Sequence, residues 1–161
     1  IKRLDLPCVL LQPAYFYQNL IGLAPLILRG ALPGPMGTAR FAMVDARDVA
    51  AAAAEVLTKT GHDGKIYILT GPAALSYAEV AATLSKALGR PVAYSDTPPA
   101  AAREHMLTQA YPPWLADALL ELAEVFRSGK ADFATDAVKA VTGREPRAFE
   151  SFVRSHKSAF L

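Results

Sequence analysis

The sequence predicts an α/β protein with parallel strands, in which the second half of the chain is almost entirely helical. Three short apolar runs, at residues 8–11, 41–44 and 66–69, lack the polar alternation of a half-exposed strand. Such runs are typical of strands that are covered on both faces, as in a parallel sheet. An alanine-rich helix between the second and third runs completes a βαβ unit. We therefore expect a sheet-forming part at residues 1–72 and a helical part at residues 73–161.

The segment that organises the chain is VLLQPAYFYQNL, residues 9–20. Its apolar start predicts the first strand, and Pro13 should end that strand because proline cannot donate to a sheet ladder. Three aromatic residues and two amides follow at residues 15–19. In open α/β sheets, ligands lie just beyond the carboxyl ends of the strands, so this segment is the best candidate for a binding loop. An ordinary strand exit, with aromatic side chains filling the core, explains the same residues equally well.

The first half continues with a loop, a second strand and a capped helix. Residues 30–39 are rich in Gly and Pro and predict a surface loop. After the second strand, Asp45 is placed to cap a helix over residues 49–59, and Asp48 suits the positive end of the helix dipole. Capping and a buried ion pair explain Asp45, Arg47 and Asp48 better than catalysis does.

The second half is a series of predicted helices with clear start and stop signals. Ser76 and Glu79 form a capping box that predicts a helix ending near Leu88, before Gly89. A short extended piece at 91–95 precedes helices at about 98–110, 114–128 and 135–142 and a last helix after Pro146. We expect Trp114 to anchor its helix in the core. The last helix should bury one apolar face, made of Phe149, Phe152, Val153, His156 and Phe160.

Composition argues against several classes of function. A formal net charge of +2 is too small for a nucleic-acid surface, and no apolar run approaches the ~20 residues of a membrane span. The scattered histidines and the single cysteine, Cys8, form no metal-ligand spacing. A cysteine in an apolar run indicates a buried thiol in a reducing compartment, so we expect a cytoplasmic protein. The first residues lack a signal-peptide pattern and an initial Met, and they read like the middle of a longer protein.

Four segments, in chain order, resemble the pattern of a known family. Residues 11–19, LQPAYFYQN, resemble its L-R-P-x-x-F-x-x-N segment, and residues 41–50 resemble its V-D-x-R-D-V-A step from strand to helix. Residues 64–79 resemble G-K-x-Y-x-L-T-G-P-x-x-L-S-Y-x-E, and residues 143–152 resemble the closing G-R-x-P-R…F helix. The pattern is that of the NmrA-like family, which are atypical short-chain dehydrogenases. The resemblance covers almost the whole chain, but only the C-terminal half of such a protein.

The resemblance implies the C-terminal part of a Rossmann-like NAD(P)-binding parallel sheet, followed by a mostly helical substrate or cap region. The family's N-terminal half carries the glycine-rich turn and the helix that hold the pyrophosphate. No G-x-x-G-x-x-G occurs in this chain. The cofactor, NADP or NAD, is therefore expected to bind only together with that half.

The resemblance also assigns candidate site residues near the nicotinamide end of the cofactor. The implied cofactor contacts are Pro13, Ala14, Tyr15 and Phe16. Tyr17 and Asn19 are implied to line the substrate pocket. Gln12 stands where the family usually has Arg, so no charge-assisted contact is expected at that position. Apart from the resemblance, His105 is a candidate for substrate binding from its place in a helix near Met106 and Tyr111, but a surface histidine explains it better.

Three classes of function remain open at this point. The first is an NAD(P)H-dependent oxidoreductase that acts on a small carbonyl, quinone or azo compound. The second is a non-catalytic, dinucleotide-sensing regulator with a protein partner, and the third is a truncated chain with no independent activity. Without an N-terminal half the first strand has an apolar edge, so we expect self-association or an N-terminal partner chain at that edge. We expect no nucleic-acid or membrane partner.

Overall fold

The computed structural model describes residues 8–161, and residues 1–7, with the predicted features of the chain's start, lie outside that range. The strands are β1 (Leu10–Pro13), β2 (Tyr15–Phe16), β3 (Ala31–Gly34), β4 (Arg40–Val44), β5 (Ile66–Leu69), β6 (Ala74–Ser76) and β7 (Ala93–Asp96). The α-helices are α1 (Ala24–Leu28), α2 (Ala46–Thr58), α3 (Tyr77–Leu88), α4 (Pro99–Thr108), α5 (Pro113–Arg127), α6 (Ala137–Thr142) and α7 (Phe149–Ser155). Short 3-10 helices cover Tyr17–Leu23 and Lys157–Phe160. Within the described range, every helix is too short or too polar to cross a membrane.

β1 and β2 form one extended segment, separated only by Ala14, that changes partner along its length. β1 pairs in parallel with β5, starting with Leu10 opposite Ile66, which confirms the predicted neighbours. β2 pairs in parallel with β4, and β4 pairs antiparallel with β6. Pro13 is the last residue of β1, as predicted, but the chain stays extended and pairs again at Tyr15.

Residues 31–34, predicted to belong to a surface loop, form strand β3 instead. This strand pairs in parallel with β7, Leu32 lies opposite Tyr94, and Leu32 is fully buried. The surrounding Gly and Pro residues indicated a turn, and Pro33 is tolerated because β3 has a described partner on one side only. The strand that β3 pairs with lies far downstream in the chain, so local composition gave no sign of the pairing.

The two helices with the clearest capping signals form as predicted. In α3, the Ser76 hydroxyl accepts the Glu79 N–H at 3.2 Å, the Glu79 carboxylate accepts the Ser76 N–H at 2.8 Å, and left-handed Gly89 ends the helix. Asp45 caps α2 and accepts the Arg47 N–H at 2.9 Å. With this cap the first turn follows β4 directly, so α2 begins at Ala46 rather than at residue 49.

Elements from both halves of the chain share one aromatic core. The predicted buried face of the last helix is confirmed for Phe149, Phe152 and Val153, whereas His156 is only half-buried. A smaller cluster packs α2 and α6 against β5. The ladders β3–β7 and β4–β6 join residues on both sides of position 72. The predicted division of the chain into a sheet-forming part at residues 1–72 and a helical part at residues 73–161 stays a prediction.

The expectation that Trp114 anchors its helix in the core is wrong, since its side chain is 69% exposed. The buried residues of α5 are Ala116, Ala123 and Phe126. The small side chains of Ala116 and Ala123 allow the helix axis to lie close to its neighbours. Trp114, in the first turn, lies off this packed face.

Candidate functional site

The carboxyl ends of three parallel segments meet at one edge of the fold. The β1–β2 segment, β4 and β5 run in the same direction, because β1 pairs in parallel with β5 and β2 pairs in parallel with β4. Just after β5, the Gly71 N–H donates to the Met43 carbonyl at 2.5 Å and ties the end of β5 to β4. Ligands of open α/β sheets bind beyond this kind of edge. The chain segments that leave this edge therefore make up the candidate site.

The predicted cofactor contacts lie at this edge, in what we call the 13–16 segment: Pro13, Ala14, Tyr15 and Phe16. Pro13 is exposed, and the other three residues are half-buried. The Ala14 N–H donates to the last carbonyl of β5 at 2.9 Å. The Tyr15 ring meets Phe41 and Phe126 edge-on, with centroid distances of 5.7 and 5.9 Å. The segment is thus fixed by both strands and by the core, while part of its surface stays accessible.

The three predicted substrate contacts lie in different surroundings. Tyr17 is fully buried, with its ring 5.1 Å from Phe149 and 5.5 Å from Phe152. Burial is the main reason that the pKa of Tyr17 lies far above its ordinary value, so this phenol stays neutral. Asn19 in the first 3-10 helix and His105 on α4 are both exposed. The core packing of Tyr17 separates it from these two, and their roles toward a substrate stay predictions.

The described residues form an open cavity of about 330 Å³ at the end of β5, next to α6. It is lined by Pro72, Ala134, Thr135, Asp136, Lys139, Glu145 and Pro146. Lys139 and Glu145 form an exposed ion pair at 2.5 Å. None of the predicted site residues lines this cavity. Within residues 8–161 there is also no cluster of His, Cys, Asp and Glu that would hold a metal ion.

Gln18 joins the end of β2 to the start of α2, a role that the sequence did not predict. Its Nε2 donates to Asp45 Oδ1 at 3.1 Å, and its Oε1 accepts the Ala46 N–H at 3.1 Å. Asp45 is fully buried and also accepts hydrogen bonds from the backbone and guanidinium of Arg47. The cap and the ion pair predicted for Asp45 are confirmed, and this carboxylate holds the site in place rather than facing a ligand.

Asp45 makes folding sensitive to acid. Burial alone would raise the pKa of Asp45, but the hydrogen bonds from Arg47 and Gln18 outweigh it and hold that pKa below its ordinary value. A carboxyl whose folded pKa is lowered contributes stability above its unfolded pKa of about 3.9, and that stability is lost as the pH falls through the folded pKa. We expect urea titrations to show a smaller free energy of unfolding at pH ~3 than at pH ~6. Asp45→Asn should flatten this dependence.

The matched control for this prediction is Asp63→Asn, at an exposed turn residue. Asp63→Asn should leave the acid dependence of the wild-type chain in place. An Asp45→Asn chain with the full wild-type slope between these two pH values would contradict the prediction.

A row of three tyrosines, also not predicted from the sequence, leads from the 13–16 segment into the core. The hydroxyl oxygens of Tyr15 and Tyr77 are 3.5 Å apart, and the Tyr77 ring meets Tyr94 edge-on at 5.7 Å. Tyr77 is 2% exposed, and burial raises its pKa well above the ordinary value. The Tyr94 hydroxyl donates to Asp96 at 2.9 Å, and burial together with this bond raises the pKa of Tyr94 to about 12. Because the three tyrosines are far apart in the chain, no local sequence pattern indicates that they contact one another.

Known proteins are similar to this chain in sequence and in fold. The sequence model of the NmrA-like family matches residues 1–153. The chain belongs to the NmrA-like family. It is 43% identical over 150 residues to an NAD(P)H azoreductase of Xenophilus azovorans, which covers 92% of this chain and 52% of that protein. It is 38% identical over 161 residues to a (4-alkanoyl-5-oxo-2,5-dihydrofuran-3-yl)methyl phosphate reductase of Streptomyces griseus, covering 99% of this chain and 57% of that protein.

Solved structures share the fold of this NmrA-like chain. An NADPH-dependent quinone oxidoreductase of Escherichia coli, complexed with NADPH, superimposes with a TM-score of 0.87 at 26% identity, over 98% of this chain and 56% of that one. The negative transcriptional regulator NmrA, in complex with NADP, superimposes with a TM-score of 0.70 at 19% identity over 96% of this chain and 54% of that one, a likeness of fold alone. The predicted family and the Rossmann-like fold class are confirmed. The chain spans about half the length of the relatives that it matches.

The 13–16 segment carries no cationic side chain that would bind a pyrophosphate. It presents aromatic and aliphatic side chains on a backbone fixed at the edge where ligands bind. Arg47, the guanidinium beside this edge, is bound to Asp45 at 2.6 Å and not directed at a phosphate. The glycine-rich phosphate turn is absent from the sequence. The placement of the 13–16 segment at the nicotinamide end stays a prediction.

Proposed function

We propose that this chain is the C-terminal, substrate-side part of an NAD(P)H-dependent oxidoreductase that reduces a small quinone, azo or carbonyl compound. The observation that carries the proposal is the 13–16 segment, which is paired with β5 and β4 at the carboxyl edge of parallel strands. Sequence identity of 43% to an azoreductase and a TM-score of 0.87 to a quinone oxidoreductase solved with NADPH support this class of reaction.

In this proposal, the chain's own residues position the reactants. When bound, NAD(P)H supplies the hydride. The 13–16 segment would pack against the nicotinamide end and exclude water from it, and Gln18 would keep the segment fixed to α2. The exposed Asn19 and His105 would contact the substrate. We place this reaction in the cytoplasm, where a free thiol such as Cys8 stays reduced.

The remaining part of the cofactor site would dock on the uncovered face and edge of the β1–β5 pair. Ile66 and Ile68 are 44% and 41% exposed on one face, whereas Tyr67 and Leu69 on the other face pack in the cluster with α2 and α6. In the described structure, β1 pairs with β5 alone. An apolar face beside an open edge favours pairing with a further strand. The occupant that we propose is an N-terminal half with a glycine-rich turn, supplied in the same chain or by another.

The decisive experiment combines this chain with the N-terminal half of the Xenophilus azovorans azoreductase. We expect this chain alone to show no measurable NADPH binding by calorimetry, because it lacks the phosphate turn. The reconstituted pair should bind NADPH and oxidise it when a quinone or an azo dye is added, with a KM for NADPH of about 1 μM to 1 mM. Light scattering should show the pair as a one-to-one complex.

Two lysine substitutions serve to locate the interface. Ile68→Lys on the open face should abolish reconstitution, since it would bury a charge at the interface. Leu57→Lys, at an α2 residue that is 83% exposed, should leave it intact. NADPH binding by this chain alone, or a homodimer that excludes the N-terminal half, would contradict the two-part site. NADPH binding without turnover of a quinone or an azo dye would instead favour a dinucleotide-sensing regulator.

A further inference from the structure

Tyr15, in the 13–16 segment, and the buried Tyr77 have their hydroxyl groups side by side. Their oxygens are 3.5 Å apart, and either hydroxyl is able to donate to the other. We propose that Tyr15 donates the proton in the reduction, and that Tyr77 is the positioning residue that orients the Tyr15 hydroxyl. This inference rests on the proposed function, because it assigns a role within the same site.

Tyr77 is closely packed on several sides and almost fully buried. A Cβ on Gly34 would lie 2.9 Å from Cε2 of Tyr77, so the strand backbone packs directly against the ring. Phe41 and Tyr94 each lie 5.7 Å from the same ring, and the residue is only 2% exposed. A buried hydroxyl needs a partner, and the Tyr15 hydroxyl supplies it.

The Tyr15 ring is fixed from the other side. Phe41 and Phe126 meet it edge-on with interplanar angles of 90° and 89°, which leaves its hydroxyl at the end of a clamped ring. The pair of hydroxyls is looser than an ordinary O–H···O bond, as is common for catalytic groups before a substrate binds. When the Tyr77 O–H donates to the Tyr15 oxygen, the Tyr15 proton is free to point at another acceptor.

Reduction of a quinone or an azo group requires one hydride and one proton. NAD(P)H supplies the hydride, and its nicotinamide is oxidised while the substrate is reduced. The Tyr15 O–H bond breaks as a new O–H bond forms on a quinone oxygen, or a new N–H bond on an azo nitrogen. The Tyr77 hydroxyl stabilises the resulting Tyr15 oxyanion by donating to it, and water then returns a proton to this half-buried residue.

Kinetics of the reconstituted pair test the two roles separately. A general acid contributes about 10²- to 10⁴-fold, so Tyr15→Phe should lower kcat by that factor while the KM for the quinone changes little. Tyr77→Phe should lower kcat by about tenfold, the effect of losing one hydrogen bond, and leave NADPH affinity unchanged, because it removes the orienting donor alone. The matched control is Tyr94→Phe, in the same row, whose hydroxyl donates to Asp96 and Gly34 rather than to Tyr15. It should turn over like the wild-type pair.

A second measurement needs neither cofactor nor substrate. The tyrosine doublet in Raman spectra reports whether a phenol donates or accepts a hydrogen bond. In this chain alone, the part of the doublet that Tyr15→Phe removes is the Tyr15 signal. Tyr77→Phe should change this Tyr15 signal, and Tyr94→Phe should leave it unchanged. An unchanged Tyr15 signal in Tyr77→Phe would overturn the role of Tyr77.

The kinetic outcomes separate the inference from the proposed function. Wild-type turnover together with an unchanged kcat in Tyr15→Phe would overturn the proton-donor role and leave the oxidoreductase intact. A reconstituted wild-type pair that never oxidises NADPH with a quinone or an azo dye would overturn both. An equal loss of kcat in the Tyr94→Phe control would assign the effect to packing and would also overturn the inference.

Discussion

Replacing Phe41 with alanine is expected to lower the free energy of unfolding by about 3–5 kcal/mol. Phe41 is fully buried in β4, and its ring stacks on Phe126 with a centroid distance of 4.3 Å. The same ring contacts Tyr15 and Tyr77, both 5.7 Å away, so it joins β2, β4, α3 and α5. Truncation would lose both the transfer free energy of the ring and the packing around the empty volume. Urea titration at neutral pH, followed by circular dichroism, measures the change.

Phe133→Ala is the matched control for this prediction, since Phe133 is 41% exposed. Surface substitutions of this kind fall within about 0.5 kcal/mol, so the two variants should differ several-fold. Phe41→Leu should lie between them, because it keeps an apolar side chain but loses the aromatic contacts. Equal destabilisation by Phe41→Ala and Phe133→Ala would contradict the view that this ring organises the core beside the site.

The features that the sequence predicted are those with a local chemical cause. The capping box of Ser76 and Glu79 needs residues three positions apart, and Asp45 caps a helix that begins at the next residue. The unbroken apolar runs of β1 and β5 predicted their parallel pairing, because the strands of a parallel sheet are covered on both faces. These signals were enough for the fold class and for most helices.

The features that the sequence did not predict depend on residues far apart in the chain. β3 is a strand because β7 pairs with it, and the local Gly and Pro residues indicate the opposite. The apolar character of Trp114 suggested burial, but the close packing of Ala116 and Ala123 determines which side of α5 is covered. The partnership of Tyr15 with Tyr77 likewise arises only when β2 and α3 meet. Pairwise geometry of this kind leaves no trace in composition or periodicity.

In residues 13–19, the strand-exit interpretation is confirmed for Tyr17, and the binding-loop interpretation stays a prediction for the accessible residues. Tyr17 fills the core, as an ordinary strand exit would require, and its hydroxyl donates to the Arg147 carbonyl at 3.5 Å. Tyr15 lies half-buried at the strand edge and keeps a hydroxyl next to Tyr77. The core contact of Tyr17 therefore fixes the accessible residues just before it. A residue that fixes the position of Arg147 therefore also helps to position the 13–16 segment.

Asp48 is the residue that holds Arg147, and Asp48→Asn is expected to cost about 2–4 kcal/mol of stability. The Asp48 side chain is 4% exposed, accepts the Arg147 N–H at 2.7 Å and forms an ion pair with the Arg147 guanidinium. Asparagine keeps the volume but leaves the cation without its counter-charge. The expected loss of stability is smaller than for a fully buried ion pair, because the Arg147 side chain is 38% exposed. Urea titration gives the loss, and a double-mutant cycle with Arg147→Met isolates the pairwise part.

Asp117→Asn provides the matched comparison, since Asp117 forms an ion pair with Arg103 at 2.6 Å and both side chains are about half exposed at 51% and 41%. An exposed pair of this kind contributes about 0–1 kcal/mol, because water screens the charges. A similar loss of stability in the two asparagine variants would show that burial of Asp48 does not strengthen its pair. The Asp48→Asn chain should also expose the Tyr17 backbone to faster amide exchange than Asp117→Asn does, since Arg147 no longer holds the Tyr17 hydroxyl in place. Unchanged exchange at Tyr17 would separate the ion pair from the candidate site.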